Sequence, residues 1–312
     1  FIGEAFAVKI HGNGFRGVVL RHVAQFELHL EDNLFTLRYA LVSKSYAHDP
    51  YDDFYVCDPK RRHIHKASVR DRVLHQALFR ILYPVFDRHF IHDSYSSRVG
   101  KGTHAGIARL QDVCRKVTKN WNVGAYVLKC DVRKFFDSID HAVLRNLIVR
   151  KVDDPEFLWL LDIIFASFEK EKGKGLPLGN VTSQLFANVY LDELDQFAKH
   201  ELKARHYFRY CDDFVIVHRD RRFLCEAVGK IREFLASCLL LELHPDKIEI
   251  RKVSQGVDFL GHVLLSNATV VRTRTGKRMV RKISVAQRNF KNGLISEETL
   301  RGVTASYLGV LS

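Results

Sequence analysis

A chain of 312 residues, 46% of them hydrophobic, buries a sizeable core and is long enough for subdomains, which excludes a disordered basic tail. Its formal charge of +13 points to a polyanionic partner. No stretch approaches the roughly 20 apolar residues of a membrane span and no signal-peptide pattern opens the chain. The six cysteines show neither C-x-x-C nor zinc-like spacing, so a reducing, cytoplasmic setting away from membranes is expected.

In chain order, the first strong periodicity lies between Arg72 and Phe90. Val73, Ala77, Leu78, Ile81, Leu82, Val85 and Phe86 mark one face of an amphipathic helix that Pro84 kinks. Tyr126-Val127-Leu128-Lys129-Cys130 reads as a buried strand ending at Asp131. Asp140 is placed to N-cap a helix running through Leu144, Leu147 and Ile148. A further helix is predicted from near Thr182 to about Leu202, turning Phe186, Val189, Tyr190, Leu194 and Phe197 inward. Tyr207 to Tyr210 and Phe214 to Val217 read as two strands, and Val257 to Leu265 as one more. Strands and helices alternate without the regularity of a doubly wound sheet, which predicts an α+β core with helical attachments.

The chemistry concentrates where Cys211-Asp212-Asp213 joins two strand-forming runs. A turn that tight holds both carboxylates at a hairpin tip, where they repel one another. A solvated polar turn is one account; a pair of divalent cations between the acids is the other. Asp131, at the end of its own strand, could complete a metal cage, or could simply begin a loop. Between Phe259 and Ser296 there is no Asp or Glu, while Arg272, Arg274, Lys277, Arg278, Arg281, Lys282, Arg288 and Lys291 fall inside, a composition suited to phosphates. His63 and His65 are open to metal binding, phosphate contact or plain exposure.

Five segments in order carry a resemblance: Asp131-x-x-x-Phe135-Phe136, the run from Gly175 to Gln184, Tyr210-Cys211-Asp212-Asp213, Leu243-His244-Pro245-Asp246-Lys247, and Phe259-Leu260-Gly261. Together they resemble the ordered motifs of reverse transcriptases. Asp71-Arg72-Val73 and the run from Ser94 to Ala105 resemble the fingers motifs of the bacterial, group II intron-like branch. The resemblance implies a right-hand polymerase fold with an antiparallel-sheet palm bearing the catalytic acids. It divides the chain into an N-terminal extension (1–42), fingers (43–124, with 150–178 completing the junction to the palm), palm (125–149 and 179–262) and a small thumb (263–312). It implies RNA-directed DNA synthesis on two Mg2+ ions, Mn2+ being a possible substitute, held by Asp131, Asp212 and Asp213 with help from the Val132 carbonyl.

For the other positions the resemblance implies roles one by one. Phe136 would exclude a ribose 2′-hydroxyl, and Lys247 would protonate the leaving pyrophosphate. Lys60, Arg62 and Arg70 would grip the dNTP, which Leu178, Gly179 and Gln184 would also line. Arg98 and Lys101 of the fingers, Phe259, Leu260 and Gly261 of a primer grip, and Arg272, Arg274, Lys277, Arg278, Arg281 and Lys282 of the thumb would hold template RNA and the RNA–cDNA hybrid. For several of these a plainer role competes: Phe136 as core, Lys247 as a surface lysine, Gly261 as a strand glycine.

The subtype rests on Leu178 and Gln184, where most reverse transcriptases carry Gln and Pro. This pattern is similar to the reverse transcriptases of diversity-generating retroelements, which copy a template RNA with frequent errors at adenines. The Leu178 side chain cannot donate or accept a hydrogen bond, so selection there rests on shape. With 99 residues after Asp213, no RNase H domain is expected. A basic helical accessory protein, the accessory variability determinant, is the partner the resemblance implies. A stand-alone phage-defence or retron-like enzyme, a catalytically idle RNA-binding scaffold and a DNA-templated repair polymerase are the competing readings.

Overall fold

A computed structural model describes residues 15–57 and 60–309 of the chain. Residues 1–14 of the expected N-terminal extension and 310–312 of the expected thumb lie outside the described residues. The elements begin with α1 (Phe15–Leu28), α2 (Leu30–Val42), β1 (Asp52–Cys57), β2 (Arg61–Lys66), α3 (Val69–Asp87) and α4 (Thr103–Val117). They continue with β3 (Tyr126–Asp131), α5 (Phe135–Ser138), α6 (His141–Val149), α7 (Pro155–Ala166), α8 (Val181–Gln196), β4 (Tyr207–Tyr210), β5 (Asp213–His218) and α9 (Arg221–Cys238). Last come β6 (Glu249–Lys252), β7 (Val257–Phe259), β8 (His262–Leu264), β9 (Thr269–Val271), α10 (Thr273–Lys291) and α11 (Glu297–Leu308). Every pair of described strands is antiparallel, and no described helix is long and apolar enough to cross a membrane.

The chain divides into two compact units. Among the described residues, the first comprises 15–57, 60–90, 133–194 and 234–242. Here β1 and β2 form a hairpin, and α3 buries Leu74, Leu78, Leu82 and Phe86. α3 starts three residues before the predicted Arg72 because the Ser68 hydroxyl accepts the Asp71 N–H and caps it, and Pro84 lies within it as expected. Asp140 caps α6 by accepting the N–H groups of Ala142 and Val143 at 3.0 and 3.1 Å. The Phe165 ring meets Phe186 of α8 at 5.3 Å, and Phe135 meets Tyr190 of the same helix at 6.5 Å. α8 passes into a wide turn over Phe197–Glu201, so the helical path reaches about as far as the periodicity predicts.

A buried polar chain also runs through this unit. Thr182 Oγ1 lies 2.7 Å from His75 Nδ1, and His75 Nε2 lies 3.1 Å from His48 Nε2. Burial would raise the Asp71 carboxylate, but His48, the Asp49 N–H and the hydroxyls of Tyr46 and Ser68 hold it below its ordinary range. Burial, then the neighbouring His48, pushes His75 down to about 4.

The second unit comprises residues 91–132, 195–233 and 243–309 of the described chain. A four-stranded sheet in the order β4-β5-β3-β6 forms its floor. Val127, Phe208, Val215 and Val217 of the sheet join Ile107, Leu110, Val113 and Cys114 of α4 in one core. The expected single strand over 257–265 is corrected by the structure. It is split into β7 and β8 by a two-residue turn at Leu260 (φ 50°) and Gly261 (φ 85°), and β9 completes a three-stranded sheet. Consecutive left-handed residues reverse the chain in a right-twisted hairpin, which an apolar run cannot advertise.

Candidate active site

Three acids converge at one end of the two central strands of the four-stranded sheet. Asp131 ends β3 and Asp213 begins β5, and the two are direct cross-strand partners. Asp212 sits beside Asp213 in the two-residue turn between β4 and β5, where Cys211 takes φ 55°. That left-handed conformation costs a non-glycine residue of order 1 kcal/mol or more and needs surrounding contacts to hold it.

Those contacts come from Arg209, which is fully buried in β4. Its Nε and Nη2 each donate to the carboxylate of Asp195 at 2.7 Å, and its Nη1 donates to the Cys211 carbonyl at 3.1 Å. Tyr207 Oη also donates to Asp195, at 2.8 Å. The main chain of Arg209 is fixed as well, since its N–H bonds Asp93 O and its carbonyl accepts from Tyr95 N–H, both at 3.0 Å. Main-chain bonds then tie the acids together. The Val132 N–H reaches the Asp212 carbonyl at 3.3 Å, and the Asp131 carbonyl accepts from His244 N–H at 2.8 Å.

The electrostatics follow from this packing. Burial, then the charge of Asp131, raises the Asp212 carboxyl above its ordinary range. Asp213 is pushed up to about 6, chiefly by burial; the charges of Asp131 and Asp212 add to it, and Lys129 opposes it. Lys247 Nζ lies 2.6 Å from Asp131 Oδ1, with the lysine on the more exposed side of the pair. Three hard oxygen donors whose ionised forms oppose one another suit divalent cations, which remove the repulsion.

The remaining expected site residues distribute as follows. Gly261 is in the β7–β8 turn and takes a positive φ, and a Cβ added there would meet Thr275 Oγ1 at 3.8 Å, an ordinary contact. The Phe259 ring is fully buried in the core, so this hairpin presents backbone outward and not that ring; Leu260 packs partly against the same core. Arg98 Nη1 donates to the carbonyls of Ile91 and Ser94, and Lys101 Nζ donates to the carbonyl of His92, so both brace their own loop. Arg272 pairs with Asp258, whereas Arg274, Lys277 and Arg281 of α10 are exposed and Arg278 and Lys282 are half-buried.

In the first unit, Lys60 and Arg62 are exposed on the hairpin. Arg70 is engaged by Asp49 at 2.8 Å, Asp71 at 3.2 Å and the Ala47 carbonyl at 2.7 Å. Phe136 is half-buried, while its neighbour Phe135 is the core residue. The Leu178 carbonyl accepts from His65 N–H at 2.8 Å, and Gly179 (φ +121°) packs so closely on β2 that a Cβ would come within 3.0 Å of Ile64. Gln184 is exposed on α8.

Two residues escaped the sequence reading. Arg209 stands in an otherwise apolar strand, a signal that it is buried and must find a carboxylate. Arg72 has buried Nε and Nη2 atoms without a hydrogen-bond partner among the described residues.

The family described as reverse transcriptase (RNA-dependent DNA polymerase) matches residues 57–264, which include all three acids. The chain belongs to the reverse transcriptase family. Its domain is that of an RNA-directed DNA polymerase, and reverse transcriptase domains generally use divalent metal ions. Protein YkfC of Escherichia coli K12 is 27% identical to it over 90% of this chain and 83% of that protein. The group II intron-encoded protein LtrA of Lactococcus lactis is 21% identical over 70% of this chain, and the match spans 47% of LtrA. Among solved structures, apo telomerase from Candida tropicalis superimposes with a TM-score of 0.57 at 11% identity, over 84% of this chain and 57% of that one. Telomerase from Candida tropicalis in complex with a fragment of telomeric RNA gives 0.53 at 13% identity, over 91% of this chain and 56% of that one. The fold is thus the right-hand polymerase fold that the motifs imply. The chain spans about half the length of LtrA and somewhat more than half of the telomerases.

Proposed function

We propose that this reverse transcriptase extends a primer 3′-hydroxyl with dNTPs on an RNA template, as the error-prone cDNA-synthesising enzyme of a diversity-generating retroelement. The convergence of Asp131, Asp212 and Asp213 carries the catalytic half of this reading. Two Mg2+ ions held by these acids would activate the 3′-hydroxyl and stabilise the charge on the transferring phosphate, and Mn2+ would substitute. The Val132 carbonyl, next to Asp131, completes the donor set. Lys247, paired with Asp131, is the candidate acid for the departing pyrophosphate. Phe136, half-exposed where Phe135 is buried, is the candidate gate against ribonucleotides. Lys60 and Arg62 supply charge for a triphosphate.

In the proposed assignment, the first unit carries finger residues, the four-stranded sheet is palm, and α10 and α11 are thumb. The exposed cations of α10 meet the backbone of template RNA and of the RNA–cDNA hybrid. The subtype rests on Leu178: its main chain is held by β2 and its side chain offers the nascent pair only shape. The proposed partner is a basic helical accessory protein.

Primer extension on a defined RNA with Mg2+, followed by sequencing of the cDNA, tests both halves. Asp212→Ala must abolish extension. Leu178→Gln must lower misincorporation opposite template adenine; an unchanged error spectrum removes the subtype and leaves the polymerase.

A further inference from the structure

The β1–β2 hairpin carries a second cluster of metal-ligating side chains, unrelated to the three catalytic acids. Asp53 lies directly opposite His65 across the two strands and diagonally from His63. Strand alternation turns His63 and His65 to one side, the side of Asp53. The Asp53 carboxylate lies between the rings: Oδ2 is 3.1 Å from His63 Nε2 and Oδ1 is 3.5 Å from His65 Nδ1. One ligand atom from each residue can be chosen so that all lie within 4.8 Å of one another.

These separations have a chemical meaning. An ion bonded to nitrogen and oxygen at about 2.0–2.1 Å in tetrahedral geometry sets its donors about 3.3 Å apart. Each Asp–His separation involves a different carboxylate oxygen, and with one donor atom per residue no separation exceeds 4.8 Å, so side-chain rotation has to draw the donors in toward about 3.3 Å. The rings are already oriented. Tyr55 stacks on His63 with centroids 4.5 Å apart and planes 10° from parallel, and Phe168 lies 4.5 Å from the His65 ring.

We propose that Asp53, His63 and His65 form a binding site for a first-row transition-metal ion, Zn2+ foremost, with three protein ligands and an open coordination position. Two imidazoles and one carboxylate favour such ions over Mg2+, whereas the all-carboxylate set of Asp131, Asp212 and Asp213 favours hard cations. The ion clips β1 to β2. Because the His65 N–H holds the Leu178 carbonyl, the clip also stiffens the strand on which Leu178 and Gly179 rest.

Chelator-treated full-length protein, titrated with Zn2+ against a chromophoric chelator, tests the site. Loss of outer-sphere partners alone typically weakens metal binding by about 10–100-fold, so loss of a ligand should weaken it by about a hundredfold or more. The site therefore predicts one tight equivalent that His63→Gln, His65→Gln and Asp53→Asn each weaken by that factor. The Asp131→Asn/Asp212→Asn double variant must retain it. Co2+ in its place should give visible ligand-field absorption without a thiolate charge-transfer band. Zn2+ should raise the melting temperature of the parent protein but not that of His63→Gln, whose ring is partly exposed and whose replacement spares the core. The proposal is overturned if the tight equivalent is absent from the parent protein, if it survives the histidine substitutions, or if it disappears when the exposed Cys57 is replaced by Ser.

Discussion

Asp213→Asn should make the metal-free protein more stable while removing polymerase activity. The Asp213 carboxyl is raised from 3.8 to about 6, which is about 2 pH units, and each unit corresponds to about 1.4 kcal/mol between protonation states. Ionised Asp213 therefore costs the folded state up to about 3 kcal/mol. The folded state binds this proton more tightly than the unfolded state. Its stabilising contribution is complete below about pH 4 and is lost as pH rises to about 6. Asn never ionises, so the variant gains over the parent protein above pH 6, and the gain fades below pH 4. Thermal melts in EDTA at pH 7.5 and pH 4 measure this difference. Mg2+ should raise the melting temperature of the parent protein at pH 7.5 and largely spare the variant. Equal stability at pH 7.5, or a gain of the same size at both pH values, would refute the burial-raised carboxyl of Asp213.

Arg209→Met should cost about 3–5 kcal/mol, because it leaves the Asp195 carboxylate buried without its guanidinium; denaturant melts should show Asp195→Asn restoring part of the loss. Gly261→Ala should cost about 1 kcal/mol through its φ of +85° alone, since no neighbour lies closer than 3.8 Å to the added Cβ; a larger loss would mean that the turn also packs against something. Replacing Arg274, Lys277 and Arg281 with Gln should lower the slope of log affinity against log salt for an RNA–DNA hybrid by about 0.7–0.9 for each phosphate no longer neutralised, independent of sequence. Arg272→Gln should instead act mainly on stability, because its guanidinium serves Asp258.

Part of the candidate site was legible because it is written locally. Two acids between two β-branched and aromatic runs mark a hairpin tip, whereas Asp131 at a strand end joined them only through the resemblance carried by the ordered motifs. Asp140 and Pro84 were legible as the hairpin tip was, since capping and ring constraint act within a turn. The turn at Leu260 and Gly261 was hidden because leucine does not announce a left-handed conformation. The pairing of Arg209 with Asp195 was hidden because it joins residues 14 apart that pattern alone cannot bring together. Likewise, His63 and His65 gained a third partner only when β1 paired with β2 and set Asp53 between them. Periodicity reports which face is apolar; it does not report which polar residues meet after the chain closes.

The bonds from Val132 N–H to the Asp212 carbonyl and from His244 N–H to the Asp131 carbonyl are made by the main chain. The spacing of the acids is consequently set in part by the main chain itself, beside the Arg209 contact that holds the Cys211 carbonyl. An arriving cation meets donors whose conformational freedom was surrendered during folding, so little ordering entropy opposes its capture.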